Sequence, residues 1–219
     1  AASEPGTEET PRRNGRLFPR ITSLPREGRW IFPRDQLYAA CRMSVLAGSW
    51  NEPGAPAPAA DVTAMLQGQA WRAPEGTGVW ADGSLVLGHG LMSITPESVA
   101  ETSPWRGADG QRVVAFDGRL DHREDLCAAL GVPAGERNVP DPELILRALA
   151  RWDTDGVARL EGEFAFAAWD GRRRELLCAR SVFSPRPFYY HFSPGRFVWA
   201  SSIRAVLLGA GLPRAVEET

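Results

Sequence analysis

Asp117 and Gly118 stand at the end of a short apolar run, residues 113–116, whose residue types favour a β-strand. The Asp-Gly pair is a turn signal, so we predict that the strand stops there. Asp121 and Glu124 then have the spacing of a helix N-cap and its capping box. A turn of this kind can present backbone N–H groups to a ligand. On shape alone, an ordinary connection between a strand and a helix explains the same pattern.

The composition excludes lysine chemistry and gives no sign of a metal site. All 25 basic residues are arginines, so no lysine can form a Schiff base. Cys41, Cys127 and Cys178 lack the spacing of metal ligands, and we predict no metal site. An odd number of scattered cysteines indicates reduced thiols and a cytoplasmic protein.

The overall composition predicts one globular domain. The 219 residues are 43% hydrophobic and 24% charged, which is typical of globular proteins. A net charge of −2 favours neither nucleic acid nor an acidic membrane surface as a partner. No apolar run approaches the roughly 20 residues that are needed to span a bilayer.

Residues 1–42 differ from the rest of the chain. They are rich in Pro, Gly and Arg, and they hold eight arginines against five acidic residues. We predict an N-terminal extension that is disordered to about residue 20. A basic tail that binds nucleic acid is the alternative, but aromatic interleaving and repeats are missing. The apolar residues of the extension that could dock on the domain are Trp30, Ile31, Phe32, Leu37 and Tyr38.

Downstream of residue 43 the pattern is one of strands joined by short turns, with helical segments between them. Asp141 before Pro142 predicts a helix whose N-cap is Asp141 and whose first residue is Pro142. Asp109-Gly110 predicts a hairpin turn into the strand at residues 113–116. His89, at the end of a predicted strand, is expected to serve the structure through a local hydrogen bond.

Several segments resemble, in order, the glutaminase domain of asparagine synthetases, a class II glutamine amidotransferase domain of the N-terminal-nucleophile type. The resemblance covers roughly Met43 to Leu208 and implies an α+β fold, a four-layer αββα sandwich of antiparallel sheets. We therefore predict a glutaminase-like domain at residues 43–210. The segments that carry the resemblance include Met43-Ser-Val-Leu-Ala-Gly48, Trp71-Arg-Ala-Pro-Glu-Gly76, Phe116-Asp-Gly-Arg119, Asn138-Val-Pro-Asp-Pro-Glu143, Leu160-Glu-Gly-Glu-Phe-Ala-Phe-Ala-Ala-Trp-Asp170 and Ala200-Ser-Ser-Ile-Arg204.

The resemblance implies roles for five positions. Ser44 falls where the family has its nucleophilic cysteine. Asp117 and Gly118 fall where an asparagine amide and a glycine N–H form the oxyanion hole. Arg72 matches the arginine that holds the carboxylate of glutamine, for which a planar guanidinium is well suited. Asp141 matches the aspartate that binds the substrate amino group.

The catalytic positions also depart from the family pattern. The family uses a free α-amino group as the general base, but Ser44 follows 43 residues and its nitrogen is a peptide amide. Asp117 places a carboxylate where a hydrogen-bond donor is needed, and the loss of one such donor costs about 10²–10³ in rate. Arg119 stands where the family has a glutamate.

These departures leave three hypotheses for the function. The first is a degenerate glutaminase-like domain that serves as a structural or docking domain. Its parent would be an ATP-dependent amide-forming enzyme, similar to β-lactam synthetases and lasso-peptide cyclases, with a precursor peptide as a possible partner. The second is an active domain that hydrolyses glutamine, and the third is a stand-alone binding module. We expect residues 211–219 to form the junction to a synthetase domain or subunit that this chain lacks. ATP and magnesium are implied for that partner, and no cofactor is expected in this chain.

Overall fold

A computed structural model describes residues 43–213 of the chain. The predicted N-terminal extension, residues 1–42, lies outside the described residues, as do Cys41 and most of the predicted junction. The described residues form two antiparallel sheets, one of five strands and one of four. The first sheet has the order β2-β3-β1-β9-β8, with β1 Val45–Asn51, β2 Thr77–Asp82, β3 Leu85–Gly90, β8 Tyr189–Ser193 and β9 Arg196–Ala200.

The second sheet and the helices complete the architecture. The four strands have the order β4-β5-β6-β7, with β4 Trp105–Arg106, β5 Arg112–Leu120, β6 Gly162–Asp170 and β7 Glu175–Arg180. The helices are α1 Ala59–Gln67, α2 Arg123–Leu130, α3 Asp141–Trp152 and α4 Ile203–Ala210.

The core has three layers of buried side chains because each strand alternates its faces. Between the sheets, Leu46, Val113 and Trp199 belong to one buried cluster. Helices α1 and α4 cover the outer face of the first sheet, and α2 and α3 cover that of the second. This arrangement is a four-layer αββα sandwich, so the predicted α+β fold is confirmed.

The predicted turn at Asp117-Gly118 is wrong. Strand β5 continues through both residues, and its pairing with β6 extends as far as Leu120 opposite Gly162. Gly118 has a φ of 146°. A Cβ at this position would lie 2.1 Å from the backbone oxygen of Glu163. The glycine therefore permits a close contact within the sheet instead of ending the strand.

The predicted starts of two helices are also wrong. Helix α2 begins at Arg123, and its N-cap is His122, which has a φ of 49° and makes no side-chain cap. Instead, Oδ1 of Asp121 lies 3.5 Å from Nε of Arg119. Helix α3 begins at Asp141 itself, and the carbonyl of Pro140 accepts the first helical hydrogen bonds. The Asp141 carboxylate is thus available for other partners.

Three further expectations concern absences. Cys127 and Cys178 are free thiols. Within residues 43–213 no group of three or more His, Cys, Asp and Glu side chains could hold a metal ion. In the same part of the chain, no helix is long and apolar enough to cross a membrane.

Candidate functional site

Ser44 lies immediately before β1 and is almost fully buried, with 6% of its surface exposed. The backbone N–H of Met92 donates a hydrogen bond to its Oγ over 3.1 Å. The hydroxyl in turn donates to the carbonyl of Met92 over 3.4 Å. The side chain at the predicted nucleophile position is therefore held by the loop that follows β3.

Asp117 lies between the two sheets. Because β5 alternates its faces, Val113 and Ala115 point into the layer between the sheets, and Asp117 follows them on the same face. It is 1% exposed. Nη1 of Arg186 donates a hydrogen bond to its Oδ1 over 3.3 Å. Arg186 is itself buried and belongs to the segment that joins β7 of the second sheet to β8 of the first.

The segment that carries Arg186 is fixed by its own hydrogen bonds. The backbone N–H of Arg186 donates to Oγ of Ser184 over 3.0 Å, and Arg180 donates to the carbonyl of Ser184 over 3.1 Å. The hydroxyl of Ser181 accepts a hydrogen bond from the backbone N–H of Phe164 in β6. The guanidinium of Arg186 is thus positioned by the sheet that also carries Asp117.

Burial raises the pKa of the Asp117 carboxyl to about 6. The guanidinium of Arg186, then that of Arg72, and the backbone amide of Ser44 each lower this pKa and offset part of the burial effect. These three groups therefore surround one carboxylate. The fold places Ser44 and Arg72 near Asp117, with Gly118 next in the strand, and the catalytic roles expected of these residues stay predictions.

Arg72 is the last residue of a 3-10 turn, Ala70–Arg72, that follows helix α1. Arg72 is buried, with 8% of its surface exposed. Its charge acts on Asp117. The two arginines near Asp117 give this buried region one more positive than negative charge when Asp117 is ionised.

Asp141 is engaged in structural contacts. Its Oδ2 accepts a hydrogen bond over 2.8 Å from the backbone N–H of Leu120, the last residue of β5. Its other oxygen forms an ion pair with Arg123, which also donates to the carbonyl of Val139. Asp141 is 2% exposed. The carboxylate predicted to bind a substrate amine is already neutralised by an arginine and anchors α3 to the end of β5.

Two of these residues, Arg186 and Arg123, were missed by the sequence analysis. The sequence does indicate that such residues must exist, because a buried carboxylate needs a positively charged partner. In a chain without lysine, arginine is the natural partner for Asp117 and Asp141. The sequence does not say which of the 25 arginines meets which acid. Arg119, at the position of the family glutamate, has a half-exposed side chain.

His89 lies at the end of β3 and is 2% exposed. Its Nδ1 lies 3.1 Å from the hydroxyl of Ser103. Burial lowers its pKa to about 4, and the backbone carbonyl of Phe116 opposes this shift in part. A neutral imidazole within the core agrees with the structural role expected for His89.

The comparison with protein families decides the classification. The glutamine amidotransferase domain family matches residues 43–219. The chain belongs to this family. The match begins at Met43, so residues 1–42 lie outside the shared amidotransferase domain.

Curated relatives of this amidotransferase domain include asparagine synthetases. The protein named asparagine synthetase [glutamine-hydrolyzing] 3 of Bacillus subtilis is 27% identical over 150 residues, 68% of this chain and 24% of the synthetase. Asparagine synthetase B [glutamine-hydrolyzing] of Escherichia coli is 26% identical over 137 residues, 62% of this chain and 24% of that protein. The chain thus spans about a quarter of the length of these relatives.

Solved structures agree with this fold. The glutamine phosphoribosylpyrophosphate amidotransferase from B. subtilis, complexed with ADP and GMP, aligns with a TM-score of 0.60 and 16% identity. The alignment covers 76% of this chain and 43% of that one. An allosteric regulatory enzyme of purine biosynthesis gives a TM-score of 0.61 at 16% identity. At such identities the likeness shows the fold alone.

Proposed function

We propose that this amidotransferase domain does not hydrolyse glutamine and serves as a structural and docking domain of an asparagine synthetase-like, amide-forming protein. The observation that carries the proposal is the Asp117 carboxylate, paired with Arg186 at the position of the oxyanion amide. A carboxylate accepts hydrogen bonds and donates none when ionised. It cannot stabilise the negative oxygen of a tetrahedral intermediate.

The nucleophile position supports the same proposal. The Ser44 hydroxyl accepts a hydrogen bond from the backbone N–H of Met92 and donates one to the carbonyl of the same residue. In this sequence the Ser44 nitrogen is part of a peptide bond, so it cannot accept a proton as a general base. A serine hydroxyl without such a base is a weak nucleophile at neutral pH.

The substrate contacts point in the same direction. Asp141, the position expected to bind the amino group of glutamine, is paired with Arg123 and with the Leu120 amide. Glutamine would have to displace Arg123 to form an ion pair with Asp141. Arg72 alone would then orient glutamine, by binding the carboxylate of the substrate.

An amide-forming enzyme whose substrate already carries the attacking amine needs no ammonia from glutamine. The proposed parent is therefore of the macrolactam-forming kind, with a peptide precursor as the substrate and a synthetase region as the partner. ATP and magnesium would bind to that synthetase region. A gene that continues into a synthetase region, with a small precursor peptide encoded beside it, would support this parent. A gene that encodes no such region would oppose it.

A second candidate is an active glutaminase, which is favoured by the names of the relatives as glutamine-hydrolysing proteins. An ammonia-release assay with glutamine distinguishes the two. We expect the wild-type chain to release no more ammonia than a Ser44→Ala variant. Turnover that Ser44→Ala abolishes would establish the active glutaminase and overturn the proposal.

A further inference from the structure

A groove of about 260 Å³ lies between the turn that follows α1 and helix α4. Trp71 and Leu208 line it, and their side chains are 58% and 55% exposed. Met65 and Ala205 close its buried side. Two large apolar side chains thus flank a depression that can accommodate an aromatic or aliphatic side chain.

The groove lies beside the point where the extension joins the domain. Val45, at the start of β1, packs in one core cluster with Met65 and Ala205. The backbone of Leu46 exchanges hydrogen bonds with Ser201, directly before the groove residue Ser202. Because Met43 is two residues before Val45, the first described residue of the domain lies close to the groove.

The apolar residues of the extension are within reach of this groove. Leu37 is six residues before Met43 and Trp30 is thirteen. At about 3.3 Å per residue, an extended chain spans about 20 Å and about 40 Å over these separations. A short tether also gives a high effective concentration, so a weak intrinsic affinity is sufficient for docking.

We propose that residues 30–38, Trp30-Ile-Phe-Pro-Arg-Asp-Gln-Leu-Tyr38, dock in the groove between the end of α1 and α4. This segment holds five of the nine large apolar residues of the extension, and it is the group nearest to Met43. The segment carries one charge of each sign, Arg34 and Asp35, so its docking rests on the apolar side chains, while Asp35 can approach Arg204 at the groove. The extension lies outside the family match, so the docking is a property of this chain beyond the shared domain.

The experiment is hydrogen exchange on the complete 219-residue chain. We expect the backbone amides of residues 30–38 to exchange at least tenfold more slowly than the intrinsic rate of an unstructured peptide. Leu208→Asp should return them to that rate by placing a charge in the apolar groove. Phe192→Asp is the matched control, because Phe192 is 72% exposed in a different cleft, and it should leave the protection unchanged.

A second variant guards against a folding defect in Leu208→Asp. Trp30→Ala combined with Phe32→Ala changes only the extension, and it should also remove the protection at residues 34–38. The amides of β5 serve as the internal reference for an intact core. Intrinsic exchange rates in the wild-type chain would overturn the proposal. Protection that survives Leu208→Asp, or that grows with protein concentration as a second copy fills the groove, would overturn it equally.

Discussion

Arg186 donates a hydrogen bond to Asp117 over 3.3 Å, from the segment that joins the two sheets to the inner face of β5. Both side chains are buried, with 8% and 1% of their surfaces exposed. The pKa of Asp117 is nevertheless raised, to about 6, because burial outweighs the attraction of the two nearby arginines. The pair therefore offsets part of the cost of burying the carboxylate, but Asp117 still ionises less readily than an exposed aspartate.

The first prediction concerns the loss of the arginine. Arg186→Met removes the group that most strongly favours ionised Asp117, so we expect the unfolding free energy at pH 8 to fall by about 3 kcal/mol. At pH 4 the loss should be much smaller, because Asp117 is then protonated. Urea unfolding of the variant at both pH values measures the difference.

Two further variants test that explanation. Adding Asp117→Asn to Arg186→Met should recover most of the loss at pH 8, because the buried charge is then absent. Asp121→Asn is the control, since Asp121 is 44% exposed and lies 3.5 Å from Arg119. It should change the stability by less than about 0.5 kcal/mol. An equal loss for Arg186→Met at both pH values contradicts the electrostatic origin.

The second prediction concerns pH and Asp117 alone. The pKa of Asp117 is about 6 in the folded chain, against an ordinary value of 3.8. Between these values the folded state binds more protons than the unfolded state, so the contribution of Asp117 to stability falls as the pH rises. The fall is on the order of 3 kcal/mol. Relative to Asp117→Asn, the wild-type chain should therefore lose stability from pH 4 to pH 6.

The comparison with Asp117→Asn at each pH removes the contribution of other groups. His89 acts in the opposite direction, because its pKa is lowered to about 4 in the folded chain. Its contribution to the stability of the fold therefore increases as the pH rises from about 4. A stability difference between wild type and Asp117→Asn that stays constant from pH 4 to pH 6 would show that Asp117 ionises normally.

The third prediction concerns Gly118. A Cβ at this position would lie 2.1 Å from the Glu163 oxygen and 2.6 Å from Cα of Phe164. These backbone atoms belong to the paired strand β6 and cannot move independently, so Gly118→Ala should cost more than about 3 kcal/mol. Gly110 also has a positive φ, 65°, but nothing within 4 Å of a Cβ. Gly110→Ala should therefore cost only about 1 kcal/mol, and thermal unfolding that gives both variants the same loss would refute the packing explanation.

The fourth prediction concerns the repair of the chemistry. In a chain that begins at Met43 with Ser44→Cys, removal of Met43 would free an α-amine and expose a better nucleophile. Adding Asp117→Asn would supply an amide donor at the oxyanion position. We expect measurable ammonia release from glutamine only when both changes are present, because they act on one transition state.

Two outcomes would contradict parts of this prediction. Full activity of Ser44→Cys alone would mean that Asp117 does not face the oxyanion. If the double variant binds no glutamine in calorimetry, the pocket itself has been lost, in agreement with the Arg123 contact to Asp141.

The sequence by itself determined the family and the layered fold of this chain. Strand alternation is a local property that hydrophobic periodicity reports directly, and the αββα sandwich followed from the family resemblance that the ordered motifs between Met43 and Leu208 carry. The same local patterns misplaced the end of β5 and the start of two helices. Asp-Gly and Asp-Pro resemble turn and cap signals, but pairing with β6 overrides the first, and contacts to Leu120 and Arg123 redirect the Asp141 side chain.

Only the tertiary structure decided how the charges of the site are arranged. Asp117 and Arg186 are 69 residues apart and meet because the chain crosses from the second sheet back to the first. Ser44 meets Met92 across 48 residues because β1 and β3 pair within the first sheet. A sequence pattern reports the preferences of neighbouring residues. It does not identify which distant arginine neutralises a buried acid. The packing of the two sheets determines which side chains are buried and which of them come close together.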